Sequence, residues 1–380
     1  MSIDLEGMVR PSYDGRSISQ LVRAAGAAIG GVPHELGLPA APRYVLVLVD
    51  GLGRDLLARN ADCAPYLSSL LDGSITCGVP STTVTSLTSL GTGLPPGKHG
   101  VVGYTTRIPG TRGVLNALKW KDGVNPLEWQ PHPTELQRLA AEGVAVTVVN
   151  HARFEGTGLT VCSQRGVPYR GVGSVWERLE AVVDAAESGE RSLVYTYEST
   201  LDHIGHEHGC ESQAWRDRLR VVDADLRQLR ESLPDDAALV VTADHGMLDL
   251  PDDGRFDVES VPELLDDVIV FAGEARFRHL YVRTGRTADV AQRWRSFCGD
   301  RALVVSRDEA EELGWFGPID DLVRPRIGDV LVASLGTFGV FSSRWFAVEM
   351  KMTGFHGSLT TTEMTVPLLV DPPAARSLAR

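Results

Sequence analysis

Two Asp/His groups and a run of hydroxyls hold most of the chemistry available to this chain. "VVTADHGMLDL" (240–250) begins as an apolar strand and ends its polar turn in Asp244, His245 and a glycine. "TLDHIGHEHG" (200–209) spaces Asp202 and His206 four residues apart, which on a helical turn puts both on one face. Asp50 follows the apolar run "YVLVLV" and precedes Gly51, which leaves space around the carboxylate. His356 sits among small residues in "GFHGS". Each alone has a plain alternative, since Asp and Gly favour turns and surface histidines occur. Together they make three carboxylates and three imidazoles, a donor set that suits Zn²⁺, with Mn²⁺ or Fe as competitors. That is too many ligands for one tetrahedral ion and about right for two. Two-metal sites suit in-line phosphoryl displacement.

The candidate nucleophiles lie in "VPSTTVTSLTSLGTGLPPGKHG" (79–100), which holds Ser81, Thr82, Thr83, Thr85, Ser86, Thr88 and Ser89. One of these hydroxyls is explained by capping a helix whose apolar face includes Val84, Leu87 and Leu90. A hydroxyl at a helix N-terminus is also placed for catalysis, because the N–H groups and dipole there favour an alkoxide and a phosphate. A free hydroxyl is a poor nucleophile near pH 7, so a metal must complete its activation.

The elements that position these residues follow from hydrophobic pattern. "RYVLVLVDGLGRDLL" reads as a buried strand, a turn and a helix start, and continuous apolar runs recur at 144–150, 192–198 and 237–244. Helical patterns between them, including "TELQRLAAEG" and "QAWRDRLRVVDADLRQLRESL", point to an α/β fold with a doubly wound, mainly parallel sheet. Active sites in such sheets lie beyond the carboxyl ends of the strands, where Asp50 and Asp244 fall. Residues 255–350 read instead as a small α+β insertion or lid, with strands at "FRHLYVR", "ALVVS" and "GDVLVAS". The catalytic core is then 1–254 and 351–380, with "VPLLV" as a last core strand.

Bulk properties narrow the function. The 380 residues carry 37 Lys+Arg against 50 Asp+Glu, a net charge of −13, which argues against general nucleic-acid binding. Bound cations can still reverse the local sign for an anionic substrate. The five cysteines are scattered with no CxxC pair, and the polar start "MSIDLEGMVRPSYDGRS" has no apolar signal region. The expectation is a cytoplasmic protein without a membrane segment.

The motifs "VLVLVDGLG", "PSTT…TSLGTGLPPGKHG", "YTYESTLDHIGHEHG", "TADHGM" and "GFHGS", in this order, resemble the type I phosphodiesterase/nucleotide pyrophosphatase branch of the alkaline phosphatase superfamily. The matching segments run from residue 44 to about 370. The resemblance implies an alkaline-phosphatase-like fold and two Zn²⁺, one on Asp50, Asp244 and His245 together with the nucleophile, the other on Asp202, His206 and His356. It selects Thr83 as nucleophile, with Thr82 and then Ser81 behind it, and implies a phospho-threonine intermediate in cleavage of a phosphodiester or nucleotide pyrophosphate. The chain departs from the family where an Asn that helps bind a phosphate oxygen is replaced by Tyr104 in "HGVVGY". Lys119 and Lys121 are candidates for the missing contact, against the simpler reading of solvated lysines on a turn. Trp120 and Trp129 can stack on a base or pack the loop region, and His99 and Glu363 read as structural. His151 ends a strand that can face the site.

Rival functions on the same scaffold are a phosphomonoesterase, a phosphonate hydrolase and a phosphomutase. A sulfatase is disfavoured because the resemblance to the superfamily implies a Cys for conversion to formylglycine there, and the nucleophile segment has none. A non-catalytic, metal-stabilised nucleotide-binding module would not need the full ligand set.

Overall fold

The computed structural model describes residues 7–120 and 123–374. The chain first lays down β1 (Arg43–Val49), β2 (Gly73–Thr76), β3 (Ala145–His151), β4 (Tyr169–Val172), β5 (Ser192–Glu198) and β6 (Ala237–Thr242). An insertion follows with β7 (Val268–Glu274), β8 (Phe277–Val282), β9 (Ala302–Ser306) and β10 (Val330–Ser334), after which β11 (Thr365–Asp371) returns to the core. The helices that matter for the site are α1 (Thr83–Thr92), α2 (Val175–Ala186), α3 (Thr200–His208), α4 (Gln213–Ser232) and α5 (Thr287–Cys298).

The central sheet has seven strands in the order β2-β11-β6-β1-β5-β3-β4. From β6 to β4 every pair is parallel; β11 runs antiparallel to both β6 and β2. β1 is buried along nearly its whole length, as its unbroken run of β-branched and leucine residues requires. Register then decides where the polar residues go. Val49 pairs with Glu198, and Leu48 pairs with Thr242. The segments that follow β1, β5 and β6 therefore leave the sheet at one edge, and they carry Asp50, Asp202 and Asp244.

The insertion strands form an antiparallel sheet in the order β7-β8-β10-β9. Its side chains alternate between two cores. Val330 and Val332 join Leu280, Phe271 and Trp294 of α5 in a separate cluster. Leu331 and Ala333 join Phe277, Trp315 and Phe316 in the main core. Among the described residues, no helix is long and apolar enough to cross a membrane.

Candidate metal centre and nucleophile

Asp50, Asp244 and His245 offer ligand atoms that all lie within 4.8 Å of one another, as do those of Asp202, His245 and His356. His245 thus stands between the two groups, with Nε2 3.3 Å from Asp50 Oδ1 and 3.7 Å from Asp244 Oδ2. His206 lies outside the tighter triad but adjoins it, with Nε2 3.4 Å from Asp202 Oδ2. The i,i+4 spacing on α3 places it there. His356 Nε2 is 3.9 Å from Asp202 Oδ1, and its ring stacks on that of His245 with centroids 3.6 Å apart. All six sequence-predicted ligands are brought together.

Two features show that these residues fit metal ions. Among the described residues, Asp50 Oδ1, Asp202 Oδ1 and Asp244 Oδ2 are buried without a hydrogen-bond partner, a costly arrangement that a cation would resolve. Each histidine also has Nδ1 directed at a backbone carbonyl: His206 at Gly354 (2.8 Å), His245 at Gly246 (3.2 Å) and His356 at Ser81 (2.9 Å). A carbonyl only accepts, so Nδ1 holds the proton and Nε2 keeps its lone pair for a metal.

The electrostatics agree. Burial, then the Asp202 and Asp244 carboxylates, push the Asp50 carboxyl well above its usual range. Burial also raises Asp202 and Asp244, opposed chiefly by His206 and His245 respectively. Burial lowers His245 and His356, which favours the neutral imidazole that ligates metals. Gly51 is a close-approach residue: at φ +75°, a Cβ there would come 3.2 Å from the Asp202 Cα. The space beside Asp50 is filled by the partner ligand's backbone.

Three hydroxyls compete for the nucleophile's place, and the geometry separates them. Ser81 donates to the Ser358 carbonyl at 2.6 Å. Thr82 occupies the N-cap position of α1 without a side-chain capping bond. Thr83, the first residue of α1, has Oγ1 3.2 Å from His245 Nε2 and alone of the three touches the ligand cluster.

The remaining candidates divide. Tyr104 is half-buried, and burial raises its phenol. Lys119 is exposed on a turn, its N–H donating to Asn116 Oδ1 at 3.0 Å; Lys121 lies outside the described residues. Trp129 is packing: it is buried, donates to the Gly100 carbonyl, and carries the Arg326 guanidinium 4.0 Å above its ring. Trp120 packs over Gly158 and edges against Trp129. His99 is wholly buried, bonded to Ser89 at 2.9 Å, and pushed down to about 3 by burial. His151 is exposed and receives the Arg153 N–H. Glu363 forms a fully buried ion pair with Arg276.

Sequence reasoning missed Tyr197, whose hydroxyl bonds to Asp50 Oδ2. It also missed Glu198, which pairs with Arg178 and Arg218, and Glu274, 3.6 Å from His356 Nδ1. The end-of-strand position of Tyr197 and Glu198, next to the Asp202 helix, was the available signal; Glu274 had none.

The profile of type I phosphodiesterase / nucleotide pyrophosphatase matches residues 44–359. The chain belongs to that family. Membership places it among the phosphodiesterase/pyrophosphatase hydrolases, and its fold is alkaline-phosphatase-like. It resembles murine ectonucleotide pyrophosphatase/phosphodiesterase 5, in an inactive variant bound to AMP, with a TM-score of 0.70, 15% identity and coverage of 87% of this chain and 88% of that one. The human protein of the same name gives 0.69 at 16% identity, covering 87% and 88%. Among curated relatives, rat ectonucleotide pyrophosphatase/phosphodiesterase family member 7 is 31% identical over 101 residues, 25% of this chain and 23% of that protein. The catalytic subunit of human GPI ethanolamine phosphate transferase 3 is 34% identical over 76 residues, 20% of this chain. These matches span 23% and 7% of the relatives' lengths.

Proposed function

We propose that this family member is a two-zinc phosphohydrolase that cleaves phosphodiester or nucleotide pyrophosphate bonds through a phospho-threonine on Thr83. The observation that carries this reading is the Thr83 hydroxyl, 3.2 Å from His245 in the middle of the ligand cluster. Asp50, Asp244 and His245 would hold one ion and Asp202, His206 and His356 the other. When bound, the ions would polarise the phosphoryl group and stabilise the attacking and leaving oxygens.

The chain's own residues do the rest. Thr83 releases its proton to solvent, and Oγ1 forms the bond to phosphorus as the ester bond to the leaving oxygen breaks; that oxygen takes a proton from solvent and departs as the alcohol. The start of α1 presents backbone N–H groups to the phosphate, free of a side-chain cap. Water then attacks the phospho-threonine, restoring the hydroxyl and releasing the phosphate monoester. The murine relative supports a role for the threonine: a threonine-to-alanine variant of that protein is inactive and holds AMP. In this reading 1–254 and 351–380 form the catalytic core and 255–350 the insertion that walls it. All five cysteines are free and buried, which suits a cytoplasmic setting.

The test is turnover of bis-p-nitrophenyl phosphate by zinc-loaded protein, with zinc counted by plasma emission. Thr83→Ala is expected to lose at least about 1000-fold in kcat while keeping its zinc. A zinc-loaded wild type that hydrolyses no diester overturns the reading. Two displacements predict retention at a chiral phosphorothioate; inversion excludes the covalent step.

A further inference from the structure

Helix α3 carries more ligand-type side chains than the inner groups take up. Asp202 and His206 form one i,i+4 pair. His203 and Glu207 form a second, shifted by one residue and so turned roughly 100° around the helix. His208 follows directly. The side chains of His203, Glu207 and His208 are 76%, 58% and 47% exposed, so this second set faces solvent. Nε2 of His203 and Nε2 of His208 each lie 3.8 Å from the same oxygen, Glu207 Oε2. At that distance neither contact is a hydrogen bond.

Helix stability does not account for this arrangement. The C-terminal end of a helix carries partial negative charge, which disfavours an acid in the last turn. Glu207 stands one residue before the end of α3. A carboxylate flanked by two imidazoles is suited instead to a divalent cation: the ion offsets the acid, and each neutral imidazole has an Nε2 lone pair to give it. Zinc held at about 2.0–2.2 Å from tetrahedral donors sets them roughly 3.3 Å apart. Side chains this exposed close the remaining gap by small rotations. Three protein donors leave a fourth position for water, which makes such a site open to exchange.

We propose that His203, Glu207 and His208 form a separate, exchangeable zinc site on the outer face of the helix that turns Asp202 and His206 inward. The ion would tie together the last two turns of α3, where His206 lies, so that zinc in solution tightens this helix from outside. The site uses none of the six inner candidate ligands, and its test does not depend on how many ions those hold.

Calorimetric titration of zinc into the full chain and into a His203→Asn/His208→Asn double variant counts the ions bound at equilibrium. Wild type is expected to bind one zinc more per chain than the double variant, with a Kd on the order of 1–10 μM, and the tighter events should be the same in both. Glu207→Gln alone should weaken that last event about tenfold or more. Equal counts in the two proteins overturn the proposal. An extra event weaker than about 100 μM is adventitious binding to surface histidines and overturns it too. Loss of a tight event in the double variant would make these residues supports of the inner groups, with the same result. Amide hydrogen exchange over 204–208 gives a second readout: the extra zinc should slow it about threefold or more in wild type and leave the double variant unchanged. An equal response in both overturns the tightening. The ion count does not involve turnover of bis-p-nitrophenyl phosphate, so this inference and the catalytic reading fail separately.

Discussion

Tyr197 and Glu198 close β5 with side chains on opposite faces, and each fixes a different part of the candidate site. The Tyr197 hydroxyl holds Asp50 Oδ2, which leaves Oδ1 as the free ligand atom. Tyr197→Phe is expected to weaken zinc binding about 10- to 100-fold in chelator competition; unchanged affinity would remove Tyr197 from the site. Glu198 accepts the Thr200 N–H at 2.8 Å at the start of α3 and pairs with Arg178 at 2.6 Å, so it anchors the helix that carries Asp202. Burial opposes its ionisation, but Arg178, then Arg218 and the Thr200 bonds, lower it from 4.5 to about 2. The unfolded chain is the weaker acid and takes up the proton first as pH falls. The stabilisation, about 3 kcal/mol, is thus full above about pH 4.5 and lost between there and about pH 2. Urea unfolding of wild type and Glu198→Gln should differ by that amount at pH 7 and converge toward pH 2. Five of the six candidate ligands were legible because strand-end position and an i,i+4 spacing are properties of the sequence string; His356 was picked out by its small neighbours and by the resemblance. Tyr197 was not, since its partner lies 147 residues away and only the pairing of β1 with β5 brings them together.

Among the elements, α1 shows most clearly what pattern conceals. Its apolar stripe, Val84, Leu87 and Leu90, is buried as expected, yet every other residue of the helix is buried too. The hydroxyls answer a packing requirement. Thr88 and Thr92 bond back to the carbonyls four residues earlier, both at 2.7 Å, and Ser89 bonds to His99. Small side chains let the Gly158–Gln164 helix approach so closely that a Cβ on Gly91 would stand 1.7 Å from the Ser163 carbonyl oxygen. That neighbour is backbone and cannot turn aside. Gly91→Ala is therefore expected to destabilise by about 3 kcal/mol, visible as a lowered thermal midpoint. A midpoint equal to wild type would show that the two helices can separate. The crowding of Ser and Thr after Pro80 was visible in the sequence; its division between one hydroxyl that meets His245 and a tightly docked helix required the helix's neighbours.

At the scale of the molecule, the insertion is fastened to the core by the fully buried Arg276–Glu363 pair, 2.7 Å between Nη2 and Oε2. Removing one partner strands a charge: Arg276→Met or Glu363→Leu should each cost about 3–5 kcal/mol, and the double substitution less than their sum. Additive losses in denaturant unfolding would mean that the two do not act as a pair. β11 has a different consequence. It lies between β6 and β2, and β2 reaches the central sheet only through it. β2 runs directly into the nucleophile segment, whose Ser81 carbonyl also orients His356. During synthesis, therefore, the nascent chain displays Thr83 long before the strand that anchors the neighbourhood of that residue has left the ribosome. A polypeptide stalled before residue 365 carries Thr83 without β11 to fasten the strand that leads into it.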